Sequence, residues 1–185
     1  MRLLRKTKYS YLFFIGALFI ASCMKDEQPT YDPELQKQQE APIIAAYVEE
    51  SEQMQGAQYD EETGIWYVLE STGSGNYPYE QYPNVTVHYR GELLDGTVFD
   101  ESEDDKPLDG NLYYLIDAWK IAFIPKAKIA FGLFQNGLQK GAKIKLVTPS
   151  VYAYRNQSNA VIPANSPLFF SIEVLDVYDS GTITP

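Results

Sequence analysis

The chain has 185 residues, 45% of them hydrophobic, and a formal net charge of -10 at pH 7. An acidic surface repels phosphate backbones, so this charge argues against a nucleic-acid-binding protein. The single cysteine excludes an intramolecular disulfide, and the single histidine excludes a zinc site built from several cysteine or histidine ligands.

Residues 1–22 have the pattern of a secretory signal peptide. Four basic residues lie within the first eight positions, and the apolar run at 11–21 is shorter than the roughly 20 residues that span a bilayer as a helix. The letters IASC at 20–23 resemble the bacterial lipobox, in which the cysteine receives lipid. We therefore predict that Cys23 becomes the first mature residue and anchors the chain to a membrane through lipid. Removing 1–22 takes away four positive and no negative charges and moves the net charge from -10 to -14.

A flexible tether is predicted at 23–33, where Pro29 and Pro33 stand among charged residues. The letters KDE at 25–27 resemble the export signal of surface lipoproteins in Bacteroidetes, and a solvated charged tether explains them equally well. The predicted location is the cell envelope, as an outer membrane lipoprotein that is periplasmic or surface-exposed.

Residues 34–61 are predicted to form an N-terminal helical segment. Its apolar face, at helical spacing, consists of Ile43, Ile44, Tyr47 and Val48. Pro42 is predicted in the first turn of the better helix, where proline is tolerated. The apolar face is expected to pack on the same domain in preference to another copy of the chain, although the oligomeric state stays open.

From residue 62 to 178 the hydrophobic period changes to two, which is typical of β-strands. Strand-like runs lie at 65–69, 85–90, 97–100, 143–146 and 168–177, with Asp95-Gly96 as a turn signal before the third run. Pro125 is expected to end a helix that begins near Trp119. The pattern predicts an α+β fold with a mainly antiparallel sheet, limited helix and a C-terminal tail at 179–185.

Motifs for the commonest catalytic and ligand-binding chemistry are absent from the sequence. His88 lies on the polar side of a predicted strand, which favours a surface histidine over a member of a catalytic triad. No glycine-rich phosphate loop with a lysine is present, and the acidic run at 100–105 lacks the glycine and the terminal glutamate of a calcium loop. We predict neither a metal site nor a cofactor.

Four sequence blocks together resemble the FKBP-type peptidyl-prolyl cis-trans isomerases, in the order of that family. The blocks are VTVHYRGELLDGTVFD at 85–100, YLIDAW at 114–119, GAKIKLVTPSVYAYR at 141–155 and VIPANSPLFFSIEVLDV at 161–177. The resemblance frames residues 62–178 and implies a twisted antiparallel β-sheet wrapped on a short helix. It also implies an enzyme that interconverts the cis and trans forms of X-Pro bonds, with proline-containing polypeptides as clients.

The resemblance places the family's proline-binding pocket on nine positions. These are Tyr89, Phe99, Asp100, Leu115, Ile116, Trp119, Tyr154, Ile162 and Phe170. The apolar members are expected to hold the proline ring, with Trp119 as the pocket floor. The resemblance implies that Tyr154 donates a hydrogen bond to a substrate carbonyl at the rim. Asp100 is expected to orient Tyr89 or to polarise the rim, without acting as a general base.

Three departures from the family pattern leave a second function open. Arg155 stands where the family has glycine, which would strain the backbone if the position requires a positive φ. Leu108 lies near the position of a family phenylalanine, and the segment at 120–140 is longer than its counterpart and could form an extra hairpin or a flap beside the pocket. The first predicted function is a lipid-anchored prolyl isomerase that assists folding of exported proteins. The alternative is a non-catalytic FKBP-fold module that binds a peptide or a neighbouring protein through 120–140.

Overall fold

The computed structural model describes residues 30–79 and 82–179. The predicted signal peptide at 1–22, the lipidation site Cys23, the tether up to residue 29 and the end of the predicted tail from residue 180 lie outside the described residues. Among the residues that are described, no helix is long and apolar enough to cross a membrane.

The described part of the chain forms one seven-stranded antiparallel sheet and two α-helices. The elements are α1 Pro33–Glu50, β1 Gln58–Tyr59, β2 Trp66–Thr72, β3 Asn84–Leu93, β4 Val98–Glu101, β5 Leu108–Asn111, α2 Asp117–Phe123, β6 Ala142–Thr148 and β7 Leu168–Tyr178, with 3-10 helices at Glu52–Met54, Leu112–Tyr114 and Ser150–Tyr152. The strand order is β1-β2-β6-β7-β3-β4, and β5 pairs with the first half of β3. This architecture confirms the predicted α+β fold with a sheet, a short helix and a preceding N-terminal helix.

The sheet separates two apolar clusters because successive side chains of a strand point to opposite faces. Phe170 and Ile172 of β7 lie on the face that packs against α2. Phe169, the residue before Phe170, lies on the other face and packs with Ile44 of α1 and Met54. The long strand β7 therefore contributes to both clusters, and α1 packs on its own sheet as predicted.

Helix α1 begins at Pro33, one residue before the helical segment predicted at 34–61, and ends at Glu50. The Asp32 side chain accepts hydrogen bonds from the backbone N–H groups of Glu34 and Leu35, and Pro33 occupies the first helical position. The prediction that Pro42 begins the helix was wrong, because this cap starts the helix nine residues earlier and Pro42 lies inside it.

The predicted apolar face of α1 is confirmed at three of its four positions. Ile44 is fully buried, and Tyr47 and Val48 are half-buried against the sheet. Ile43 was wrongly included, since its side chain is 56% exposed. The buried face instead includes Glu40, which lies four residues before Ile44 and is itself 2% exposed.

Helix α2 ends before Pro125, as predicted, and a loop follows it. Residues 124–141 are all described and contain no strand, so the suggested extra hairpin is not formed. The loop closes on itself, with the Lys126 N–H donating to the Phe134 carbonyl at 2.8 Å. Phe134 packs edge-on against Tyr67 of β2, with ring centroids 5.2 Å apart. The loop therefore covers the β2 side of the core.

Candidate functional site

An aromatic cavity of about 210 Å³ opens between the β3–β4 hairpin, the start of α2 and the loop after β6. Its lining residues are Tyr89, Phe99, Asp100, Leu108, Tyr114, Leu115, Ile116, Trp119, Tyr154 and Phe170. Eight of the nine sequence-predicted positions are brought together here. A larger groove of about 380 Å³ lies between α1 and the β1–β2 edge, but no predicted pocket position lines it.

The floor of the cavity is Trp119, which is only 3% exposed. It lies in the first turn of α2 and stacks on Phe123 with ring planes 19° apart. Tyr89 and Phe170 meet its ring edge-on, at centroid distances of 5.4 and 5.9 Å, and Phe99 meets Phe170 at 5.7 Å. The indole Nε1 is buried and has no hydrogen-bond partner among the described residues. These edge-to-face contacts fix a rigid apolar surface.

Gly91 in β3 makes room for two of the cavity walls, and the sequence analysis missed it. A Cβ at this position would lie 2.5 Å from Phe99 Cζ and 3.1 Å from Phe170 Cε1. Any side chain here would displace the Phe99 ring. A glycine within a strand pattern is the signal that could have identified it, since such glycines often mark a close approach.

The polar wall is formed by Tyr89 and Asp100. The Tyr89 hydroxyl donates to Asp100 Oδ2 at 2.6 Å. Burial raises the pKa of the Tyr89 phenol, and the hydrogen bond to the carboxylate raises that pKa further. Tyr89 therefore stays protonated at neutral pH, and Asp100 holds it in place.

Tyr154 stands at the rim of the cavity with 39% of its surface exposed. Burial raises the pKa of its phenol, and the negative charge of Asp100 adds to the effect. Tyr154 is consequently a protonated hydroxyl donor among the lining residues of the cavity.

Ile162 and two other residues depart from the expected lining. Ile162 is 2% exposed and belongs to the buried cluster that contains Trp119 and Phe170, but it does not line the cavity. Leu108 lines it from β5, and the 83%-exposed Tyr114, which the sequence analysis did not single out, borders its mouth. The 124–141 loop contributes no lining residue, so it is not a flap over this cavity.

The rim loop, residues 149–155, is tied to α2 through Arg155. Arg155 has a φ of 57°, so the position does require the left-handed region in which glycine is favoured. Its N–H donates to the Ser150 carbonyl at 2.8 Å, and its Nη2 donates to Asp117 Oδ2 at 3.2 Å. Arg155 thereby links the turn that carries Tyr154 to the first residue of α2.

The same rim loop is tied to α1 by a buried carboxylate. Glu40 Oε2 accepts the Ser150 backbone N–H at 2.7 Å, and Oε1 accepts the Ser150 hydroxyl at 2.5 Å. Gln36 Nε2 donates to the same Oε1 at 2.6 Å. These bonds satisfy a buried charge that would otherwise be costly.

The chemistry of this cavity is that of an apolar binding site with a polar edge. Its ten lining residues include no serine, cysteine, lysine or histidine, and His88 lies outside them with Nδ1 3.3 Å from Ser102 Oγ. No group of three acidic, histidine or cysteine side chains in the described residues could hold a metal ion. The site can hold a small apolar ring and offer hydroxyl donors beside it.

Comparison with known proteins agrees with this geometry. The family model described as "FKBP-type peptidyl-prolyl cis-trans isomerase" matches residues 77–175. The isomerase FkpA of Buchnera aphidicola subsp. Acyrthosiphon pisum is 37% identical over 116 residues, which are 62% of this chain and 43% of that protein. The chain spans about two fifths of the length of the curated relatives it matches.

Two solved structures share the fold over most of the described chain. The crystal structure of FkpA from Escherichia coli superposes with a TM-score of 0.57 at 29% identity, over 80% of this chain and 61% of that chain. A peptidyl-prolyl cis-trans isomerase from Pseudomonas syringae pv. tomato gives a TM-score of 0.57 at 28% identity, over 80% of this chain and 97% of that chain.

Proposed function

Because the chain belongs to the FKBP-type peptidyl-prolyl cis-trans isomerase family, we propose that its aromatic cavity catalyses cis-trans isomerisation of X-Pro bonds in polypeptides. The observation that supports this most directly is the convergence of Trp119, Phe99 and Phe170 around a space of about 210 Å³. A proline ring is an apolar group of a polypeptide that a cavity of this volume can hold.

The reaction needs no nucleophile, which fits the lining of the cavity. The barrier to rotation about the X-Pro bond, roughly 18–20 kcal/mol, arises from amide resonance, and no covalent bond is broken during the rotation. A twisted amide loses that resonance, and its charge separation falls, so apolar surroundings favour the twisted form over either planar form. Tighter binding of the twisted form is what lowers the barrier.

The polar edge orients the substrate in this proposal. Tyr154 donates a hydrogen bond to a substrate carbonyl and holds the chain across the rim. Asp100 accepts from Tyr89 and keeps that ring against Trp119, and it takes no proton during the reaction. Ile162 supports the wall from the buried cluster behind it.

The N-terminal sequence supports a biological setting for this proposed activity. A lipid on Cys23 anchors the protein in the outer membrane, where it faces the periplasm or the cell surface, and it assists the folding of exported proteins. The signal-like start and the lipobox-like letters at 20–23 support this setting. Labelling with a lipid precursor, lost in Cys23→Ser, would test it.

Exchange NMR on a short X-Pro peptide with the full chain tests the catalytic proposal. We expect catalysed exchange that falls about tenfold in Tyr154→Phe, which removes the donor but keeps the ring, and also falls in Asp100→Ala. Tyr59→Phe, at an exposed tyrosine remote from the cavity, is the matched control and should leave exchange unchanged. Peptide binding without catalysis would support the non-catalytic module instead.

A further inference from the structure

Three exposed tyrosines, here called the tyrosine ladder, lead away from the cavity. Tyr114, Tyr113 and Tyr82 are 83%, 58% and 41% exposed. The rings of Tyr114 and Tyr113 meet edge-on with centroids 5.2 Å apart, and those of Tyr113 and Tyr82 with centroids 5.4 Å apart. Because Tyr114 also lines the cavity, the ladder is continuous with it.

The ladder is held in place by backbone anchors, not by burial. The Asn111 side chain donates from Nδ2 to the Tyr82 carbonyl at 3.1 Å and accepts the Tyr113 N–H at Oδ1 at 3.0 Å. Lys120 Nζ lies 6.0 Å from the centroid of the Tyr113 ring. The backbone that carries Tyr82 and Tyr113 is thus held in place before a partner binds, which lowers the ordering cost of binding.

The ladder makes no contribution to the buried clusters of the described residues. None of its three rings is a buried member of either cluster. Contiguous exposed aromatic surface of this kind is typical of an interaction site, because exposing it to water is otherwise unfavourable.

We propose that the tyrosine ladder binds the stretch of client polypeptide next to the proline in the cavity and favours apolar or aromatic side chains there. This inference rests on the proposed function. An extended chain advances roughly 3.3–3.6 Å per residue, so the two ring-to-ring steps of the ladder correspond to about three residues. A chain leaving the cavity past Tyr114 reaches Tyr113 next. The ladder therefore selects clients by the residues that flank the proline.

Three peptides with one common X-Pro core separate the ladder from the cavity. The first is the core alone. The second carries Leu and Phe at each end of the core, four added residues in all, and the third carries Ser and Gly in their place. In the full chain with Tyr82→Ser and Tyr113→Ser, we expect the KM for the Leu/Phe peptide to rise about tenfold. The kcat/KM for the core peptide and the Ser/Gly peptide should stay within about twofold of wild type.

Tyr82→Phe with Tyr113→Phe is the matched control, because it keeps both rings and should keep the preference for the Leu/Phe peptide. The proposed role of the ladder would be overturned if the Ser variant lost kcat/KM equally on all three peptides, or if the wild type showed no preference for the Leu/Phe peptide. If the wild type does not isomerise the core peptide, the catalytic proposal fails. The role of the ladder is then tested by the dissociation constant of the Leu/Phe peptide, which should be higher in the Ser variant than in wild type. A dimer that sedimentation detects in wild type but not in the Ser variant would also overturn it, since another copy would then be the occupant.

Discussion

At two positions near the cavity the residue type affects stability, for opposite reasons. Gly91 has no room for a side chain, because a Cβ would enter the Phe99 ring. Arg155 has room for its side chain but holds a φ of 57°, which glycine adopts at lower cost. At each position a substitution should therefore change the free energy of unfolding in a direction that can be predicted.

Gly91→Ala should deform the cavity. The added methyl group must push Phe99 away from its contact with Phe170, and overpacking of this kind costs about 1–3 kcal/mol. We expect a lower free energy of unfolding in urea and weaker binding of X-Pro peptides. Gly110→Ala is the matched control, because a Cβ there has no neighbour closer than 4.0 Å. Equal behaviour of the two variants would contradict the role of Gly91.

Arg155→Gly should be more stable than Arg155→Ala by about 1 kcal/mol in urea unfolding. Both variants lose the ion pair with Asp117, so their difference isolates the cost of the left-handed backbone. Against wild type, Arg155→Gly should change stability by less than about 1 kcal/mol, because an exposed ion pair contributes little. Equal stabilities of the glycine and alanine variants would show that the turn is unstrained.

Helix α1 lies outside the matched region of 77–175, yet it holds the loop that carries Tyr154. The carboxylate of Glu40 accepts both the N–H and the hydroxyl of Ser150. The N-terminal segment is thus a structural support of the cavity rim, and substitutions in α1 that remove this contact should alter the position of the rim loop.

Glu40→Ala should destabilise the fold by about 3 kcal/mol, because it leaves the buried Ser150 N–H without its acceptor. Catalysed exchange should fall as well, since the rim loop loses its link to α1. If Glu40 acts through Tyr154, then Tyr154→Phe should cost less in the Glu40→Ala background than in wild type.

Glu49→Ala, on the exposed side of α1, is the matched control and should be neutral. Additive effects of the Glu40 and Tyr154 substitutions on exchange would contradict the coupling. Ser150→Ala gives a milder test, because it removes only the hydroxyl and keeps the backbone bond to Glu40.

The sequence predicted the elements whose signals are local and repeated. Alternation and turn residues placed β3 and β4, and the four blocks located eight cavity positions. On α1, Ile43 was misassigned to the buried face and the burial of Glu40 was missed, because a branched apolar residue predicts burial and an acidic residue predicts exposure. Burial of Glu40 is decided by its contact with Ser150 in the loop after β6, which is 110 residues away in sequence. Such a contact leaves no local pattern.

At the scale of the whole molecule, tyrosine is the unusual component, with 15 residues in the chain. In the described part, burial is the first cause of a raised phenol pKa at several of them. These are Tyr31, Tyr47, Tyr67, Tyr79, Tyr89, Tyr152 and Tyr154. They lie just before α1 and within it, in β2 and β3, in the loop between these two strands and in the rim loop, so their protonation is a property of the fold as a whole.

This distribution predicts a loss of stability at alkaline pH. In the unfolded chain the phenols ionise near pH 10, whereas in the folded chain they keep their protons to higher pH. The unfolded state therefore binds fewer protons above about pH 10, and the free energy of unfolding should decrease as pH rises from there. Below pH 10 the contribution is complete, so urea unfolding followed by tryptophan fluorescence should show little change between pH 7 and 9 from this source.

Tyr79→Phe separates the phenols from other groups that titrate in this range. Tyr79 is 3% exposed and donates to the Leu138 carbonyl, so the variant should be less stable at pH 7. Its stability should nevertheless decline less steeply than that of wild type between pH 10 and 11, because one raised phenol pKa is removed. Exposed Tyr59→Phe should follow the wild-type curve. Parallel curves for wild type and Tyr79→Phe would contradict the contribution of the Tyr79 phenol to the alkaline loss of stability.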